Sequence, residues 1–119
     1  MAQEIADNAI IGFAALSPEG VVGYAFMRLS FEVGHIENIA VSPAAQGRGV
    51  ASRLMEALLT SVADTLEAIV LEVRQGNRAA MALYHKFGFR IEGYRRGYYT
   101  DPPEDAVLMR RNILSWEAL

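Results

Sequence analysis

The sequence predicts an α/β (α+β) fold: a mixed β-sheet of about six strands with two main helices. Three observations carry this. Short β-rich apolar runs bounded by turn residues stand at both ends of the chain. Two stretches in the middle repeat their apolar residues at helical spacing. Between those stretches lies one nearly continuous apolar run, Ala68 to Val73.

Taken in order, Ile10 to Leu16 is apolar and closes at Ser17-Pro18-Glu19-Gly20, a turn cluster that Val21 to Leu29 follows. This reads as two strands joined in a hairpin. His35 to Val41 is a third strand, closed by Ser42-Pro43. Val50, Ala51, Leu54, Met55, Leu58 and Val62 then share one face of a first helix, with Gly47 and Gly49 just ahead of it. Ala68 to Val73 is expected to be a central strand covered on both faces. Asn77 can cap a second helix of about three turns, on which Ala80, Leu83, Tyr84 and Phe87 align, and Gly88 suits its exit. Phe89 to Tyr99 and Ala106 to Asn112 are closing strands around the turn Asp101-Pro102-Pro103-Glu104. A strand, helix, strand unit favours parallel neighbours, and terminal hairpins favour antiparallel ones, hence the mixed sheet.

A length of 119 residues fits one domain spanning 1–119, and 52% apolar with 21% charged residues fits a packed, soluble one. The net charge is -3 and the basic residues are dispersed apart from pairs such as Arg95-Arg96 and Arg110-Arg111, so nucleic acid is not an expected partner. With no cysteine, disulfides, thiolate metal sites and an acyl-cysteine intermediate are excluded. The start, Met-Ala-Gln-Glu-Ile-Ala-Asp, lacks a signal-peptide pattern, and no run approaches the ~18 apolar residues of a membrane span. A cytoplasmic protein without membrane contact is the expectation.

The segment Gln46-Gly47-Arg48-Gly49-Val50-Ala51 leads from a strand into a helix, where backbone N–H groups and the helix dipole favour an anion. The plain alternative is a tight turn. Val50-Ala51 stands where a Walker loop has Lys and Ser or Thr, and position 52 is not the third glycine of a dinucleotide fingerprint, so ATP and NAD are disfavoured. Glu72 interrupts the apolar strand, sharing a face with Val70 and Arg74. A carboxylate there needs a partner such as an arginine, or else desolvation raises its pKa into the range of a general base. His35, Glu37, His85 and Glu72 match no metal-ligand spacing, and no metal is expected.

Gln46-x-x-Gly49-x-Ala51 resembles the pyrophosphate loop of the GNAT acetyltransferases. Gly34 to Val41 resembles the strand before that loop. Leu71-Glu72-Val73-Arg74, Asn77-x-x-Ala80-x-x-Leu83-Tyr84 and Phe87-Gly88-Phe89 resemble the family's second half. Arg96-Gly97-Tyr98-Tyr99 and Glu104-Asp105-Ala106 to Met109 resemble the closing hairpin of RimI-like and archaeal N-terminal acetyltransferases. The resemblance covers residues from about 21 to 112 and implies a GNAT-like sheet whose central parallel pair, 35 to 41 and 68 to 73, splays apart.

It further implies acetyl-coenzyme A as cofactor, released as coenzyme A. Amides of Gly47, Arg48, Gly49, Val50 and Ala51 would hold the pyrophosphate, with the Gln46 and Arg48 side chains assisting. Main-chain groups of Ile39, Ala40 and Val41 would pair with the pantetheine arm, and Asn77 would lie beside it. Glu72 would be the general base and Tyr84 would protonate the departing thiolate, a reasonable pairing of a phenol near pKa ~10 with a thiol near ~8.5. Glu37, Tyr98 and Tyr99 would contact the acceptor; the plain alternative for the tyrosines is an aromatic pair with one ring packed and the other at the surface, since strand neighbours face opposite ways. His35 shares a face with Glu37 and is read mainly as structural.

The reaction implied is direct attack by a protein or peptide N-terminal α-amine in a ternary complex, a ribosomal protein beginning with alanine being one such acceptor. An α-amine with pKa ~8 has a usable neutral fraction at pH 7, whereas a lysine at ~10.4 has little. Acetylation of a small amine or lysine, and a coenzyme A-binding module with little catalysis, are the alternatives. RimI-like proteins usually begin with a strand and two helices that this sequence does not show ahead of its first hairpin. Either a partner subunit covers the exposed surface, giving a homodimer, or a shortened chain has altered activity.

Overall fold

Turn chemistry sets the strand limits in the computed structural model, which describes residues 9–62 and 65–113. The stretch Met1–Asp7, with no signal-peptide pattern, lies outside the described residues. Strand β1 (Ile10–Ser17) turns through Pro18-Glu19, where Ser17 Oγ accepts the Glu19 N–H at 3.2 Å, into β2 (Gly20–Ser30). The order continues β3 (Val33–Val41), α1 (Val50–Ser61), β4 (Ala68–Arg74), α2 (Arg78–Lys86), β5 (Arg90–Thr100) and β6 (Pro103–Asn112). A short 3-10 turn at Pro43–Ala45, not expected from the sequence, lifts the chain from β3 toward α1.

The six strands form one mixed sheet in the order β1-β2-β3-β4-β6-β5, and only β3 and β4 run parallel. Strand β6 enters beside β4 because its Ala106, Val107 and Met109 are apolar and buried, whereas β5, rich in Arg, Glu and Tyr, is mostly exposed. A charged strand is the one that tolerates an edge. Helix α1 buries Leu54, Met55 and Leu58, with Val62 just beyond its end, in one cluster with Ala25, Met27, Leu29, Ile69, Leu71 and Phe89. Leu58 is fully enclosed; truncating such a side chain to alanine costs ~2–5 kcal/mol.

Strand β4 departs from expectation on one face. Ile69, Leu71 and Val73 are buried, but Val70, Glu72 and Arg74 are only half-buried. The reason is the path of β3. Met27 pairs with Ile36 and Phe26 with Asn38, leaving Glu37 as an extra residue in β3. Such a bulge bends its strand. The β3–β4 ladder accordingly holds only Val33↔Ala68, Gly34↔Ile69 and His35↔Val70. Beyond His35 the strands part, and one face of β4 looks into the opening rather than against a neighbour.

Candidate active site

Past His35, the main-chain groups of β3 that face β4 have no strand partner, and the opening becomes a cavity of about 250 Å³. Ile36 to Ile39 line one side, Leu71 to Arg74 the other, and Asn77, Ala80, Tyr84 and Tyr99 close it. A second cavity, about 410 Å³ and mostly apolar, runs from there to the start of α1. Ile39, Ala80 and Tyr84 line both, so the two form a continuous cleft.

At the far end of the cleft stands the glycine loop. Gly47 and Gly49 have φ of +79° and +80°, a left-handed conformation that suits glycine. Gly49 is the N-cap of α1, with no side chain capping the helix. Among the described residues, none of the amides from Gly47 to Ser52 has a hydrogen-bond partner, and the first that does is Arg53, to the Gly49 carbonyl at 3.1 Å. Gly47, Gly49, Val50, Ala51 and Ser52 line the cavity. A helix start with unpaired donors beside a cavity suits a polyanion. Gln46 turns back: its Nε2 donates to the Val41 carbonyl at 3.1 Å, so it fixes the loop to β3. Arg48 is exposed and has no ion-pair partner among the described residues. Asn77 caps α2, its Oδ1 accepting the Ala80 N–H at 3.1 Å, while it also lines the opening.

The titratable groups meet in the opening. Glu72 has a partner, but not an arginine: its Oε2 lies 2.5 Å from His35 Nε2. His35 pairs with Val70 at the last rung of the parallel ladder, which places its ring where the strands begin to part. Both side chains keep some solvent access, 35% for His35 and 19% for Glu72. Tyr84 is 9% exposed and sets its ring edge-on to Phe89 at 5.9 Å. No buried side-chain nitrogen or oxygen among the described residues lacks a partner. The Tyr84 hydroxyl makes no hydrogen bond, so it opens into the cleft rather than lying sealed in the core. Burial, and then the neighbouring Tyr99 phenol, push Tyr84 above the ordinary phenol value of 10.0. Burial likewise raises Tyr99, helped by Tyr98 and by the Glu72 carboxylate and opposed by Arg74.

Glu37, the bulged residue, lines the opening and pairs with Arg28 at 2.9 Å. The two tyrosines divide as strand neighbours should. Tyr99 enters the opening under the Arg74 guanidinium, while Tyr98 stays 46% exposed, edge-on to Tyr99 at 5.0 Å. Ile39 and Val41 line the cleft, and Ala40 lies between them in β3, paired with Tyr24 of β2. Residues 3–89 match the model of the acetyltransferase (GNAT) family. The chain belongs to the GNAT family.

Relatives agree with that assignment. The N-alpha-acetyltransferase RimI of Mycobacterium tuberculosis is 43% identical over 88% of this chain. The chain spans 61% of that protein's length, less than two thirds. The crystal structure of the ribosomal-protein-S18-alanine N-acetyltransferase from Escherichia coli superposes with a TM-score of 0.83 and 32% identity. That match covers 92% of this chain and 74% of the other. A GNAT family acetyltransferase from Elizabethkingia anophelis, solved with acetyl-CoA bound, shares the fold at a TM-score of 0.77 and 21% identity, over 85% of this chain and 74% of its own.

His35 is the residue sequence reasoning undervalued. Its type and strand were plain, but only the parallel register reveals that it reaches Glu72 across 37 positions of sequence. Arg74 is the other, identified as Glu72's neighbour on the strand but not as the residue over Tyr99. No helix among the described residues is long and apolar enough to cross a membrane.

Proposed function

We propose that this GNAT domain transfers the acetyl group of acetyl-coenzyme A to the N-terminal α-amine of a protein or peptide. The observation that carries the reading is the cleft itself. It has unpaired amides at one end, a free strand edge along its length, and Glu72, Tyr84 and Tyr99 at the other, with His35 against Glu72. These residues fit the cofactor. The amides of 47–51 would take its pyrophosphate, the edge of Ile39 to Val41 its pantetheine amides, and Asn77 would stand alongside. Bound there, acetyl-coenzyme A supplies an acetyl thioester activated for attack.

The chain's own groups then have separable tasks. Glu72 takes the proton that the acceptor ammonium must lose, and His35, in contact with the same carboxylate, offers it an onward route. Tyr84, buried and held protonated well past neutrality, donates its proton or a hydrogen bond to the leaving sulfur. Glu37 and Tyr99 contact the acceptor near its amine, and Tyr98 contacts it further out. An α-amine suits this site because its neutral fraction near pH 7 exceeds that of a lysine by orders of magnitude, following pKa values of about 8 and 10.4. Relatives named as N-alpha-acetyltransferase RimI and ribosomal protein bS18-alanine N-acetyltransferase support a protein N-terminus, and a ribosomal protein starting with alanine is the first acceptor to test.

The test is thiol release from acetyl-coenzyme A with three acceptors: an alanine-initiated peptide, its N-terminally blocked lysine-containing counterpart, and a small amine. Turnover with the first alone supports the reading. Preference for either other acceptor replaces it with side-chain or small-amine acetylation, and coenzyme binding without turnover leaves a binding module.

A further inference from the structure

Arg74 ends β4 and takes no part in the chemistry above, yet it has the densest set of polar partners near the opening. Its Nη1 donates to the Pro102 carbonyl at 3.2 Å and to Glu104 Oε1 at 3.3 Å, and its Nη2 donates to the Asp101 carbonyl at 3.4 Å. The flat face of the same guanidinium lies over the Tyr99 ring, 4.2 Å from its centroid. Planarity allows both at once: the edge of the fork binds carbonyl and carboxylate oxygens while the face covers an aromatic ring.

The ladders explain why this matters. The β4–β6 ladder ends at Arg74↔Ala106, with one further main-chain bond from the Gln75 N–H to the Asp105 carbonyl at 3.1 Å. Strands β5 and β6 lose register between Arg95 and Tyr99, and only Tyr99↔Glu104 and Thr100↔Pro103 follow. The tip of the β5–β6 hairpin, which carries Tyr99, therefore has few main-chain bonds to the rest of the sheet. Side chains supply most of the remaining links. Arg74 holds the turn, Glu104 Oε2 accepts the Gly76 N–H from the loop before α2, and Asp105 Oδ1 accepts the Gly97 N–H at 2.8 Å. With Arg74 35% and Glu104 25% exposed, their charge attraction alone would be weak, and it is the number and directions of the contacts that give the arrangement its hold.

We propose that Arg74 is a positioning residue for the acceptor: it fixes the hairpin tip and the Tyr99 ring at the mouth of the β3–β4 opening, and so sets where the acceptor's first peptide unit lies relative to Glu72 and Tyr84. The inference rests on the function proposed above and adds its specificity element. Acceptor binding, rather than coenzyme binding, should report it.

The experiment compares wild type, Arg74→Lys, Tyr99→Leu and the double variant, using steady-state kinetics on an alanine-initiated peptide and the melting shift caused by coenzyme A. Lysine keeps the charge but cannot bond three oxygens and cover a ring together. Arg74→Lys should raise the acceptor KM about tenfold, with a smaller change in kcat and none in the coenzyme-induced shift. The double variant should be little worse than the worse single one, because both remove the same placement. An unchanged acceptor KM in Arg74→Lys, or multiplicative losses in the double variant, would overturn the role of Arg74. Should Arg74→Lys fold poorly, Tyr99→Leu removes the ring while leaving the hydrogen bonds, and an unchanged acceptor KM there is equally fatal. Wild type that binds coenzyme A but acetylates no peptide would instead bring down the proposed function, and the inference with it.

Discussion

Replacing Gly49 with alanine separates the stability of the α1 entry from its ligand. Gly49 has φ of +80°, and a Cβ built on it meets nothing within 4 Å. The apo protein therefore suffers no clash, only the left-handed penalty of ~1–2 kcal/mol, which for a domain of this size lowers Tm by roughly 5–10 °C. The substitution, however, falls in the loop whose amides, Gly47 to Ser52, have no partner among the described residues. If those amides hold the pyrophosphate, coenzyme A should lose about tenfold or more in affinity, about 1.4 kcal/mol. At a coenzyme concentration ~100 times the wild-type Kd, the stabilisation of ~2.7 kcal/mol would then fall to about half. Gly20→Ala is the control, since Gly20 has φ of +118°, equally open space, and opens β2 just after the β1–β2 turn. Thermal melts with and without coenzyme A read both effects. Gly20→Ala should lower the apo Tm and leave the shift intact, whereas Gly49→Ala should diminish both. A full coenzyme-induced shift in Gly49→Ala would refute the idea that the start of α1 grips the cofactor.

Other perturbations address the opening between β3 and β4. Tyr84→Phe should cut kcat at least tenfold while the coenzyme-induced melting shift stays near wild type, because the ring and its contact with Phe89 remain; unchanged kcat would remove the phenol from the reaction. Glu72→Gln should lower the rate most at acidic pH, where the acceptor amine is most protonated, and a uniform loss of stability without a pH-dependent rate effect would mark it as structural. His35→Gln keeps a hydrogen-bonding group beside Glu72 but cannot carry a proton onward, so it should alter the pH profile of kcat/KM with little change in Tm; a profile superimposable on wild type would confine His35 to packing. The Tyr84 phenol is held above 10.0 in the fold, so the folded state retains its proton more tightly than the unfolded one. Its contribution to stability is complete below about pH 10 and is lost as pH rises through the folded value, so melting curves of wild type should fall more steeply above pH 10 than those of Tyr84→Phe.

Much of this architecture was legible because each element carries its own local signal. Apolar runs and turn clusters marked β1 to β3, and the stripe Leu54, Met55, Leu58 gave α1 its buried face. Asn77 was readable as a cap because the chemistry is confined to four residues, ending at Ala80. The glycine loop was readable too, since positive φ at 47 and 49 leaves its mark on residue type. Helix α2, two and a half turns rather than three, and the added 3-10 turn at Pro43–Ala45 are small differences at element ends, where local signals are weakest.

What escaped the sequence depends on register. The nearly continuous apolar run made β4 a strand covered on both faces, because nothing in Ala-Ile-Val-Leu-Glu-Val announces that a neighbour bends away. The bend comes from the extra residue at Glu37, in a strand whose composition is ordinary for a continuous one. Once β3 departs after His35, the polar face of β4 acquires solvent and a partner imidazole, and the cost of burying Glu72 is met by His35 rather than by an arginine. Arg74, the arginine that local reasoning would have paired with Glu72, is drawn instead to carbonyls of the Asp101-Pro102 turn, which only the β4–β6 ladder brings within reach. A single bulge thus decides where β3 leaves β4 and which side chains face the opening. Deleting Glu37, which restores the alternation, should extend the β3–β4 pairing, close the opening and abolish acetyl transfer in a protein that still folds.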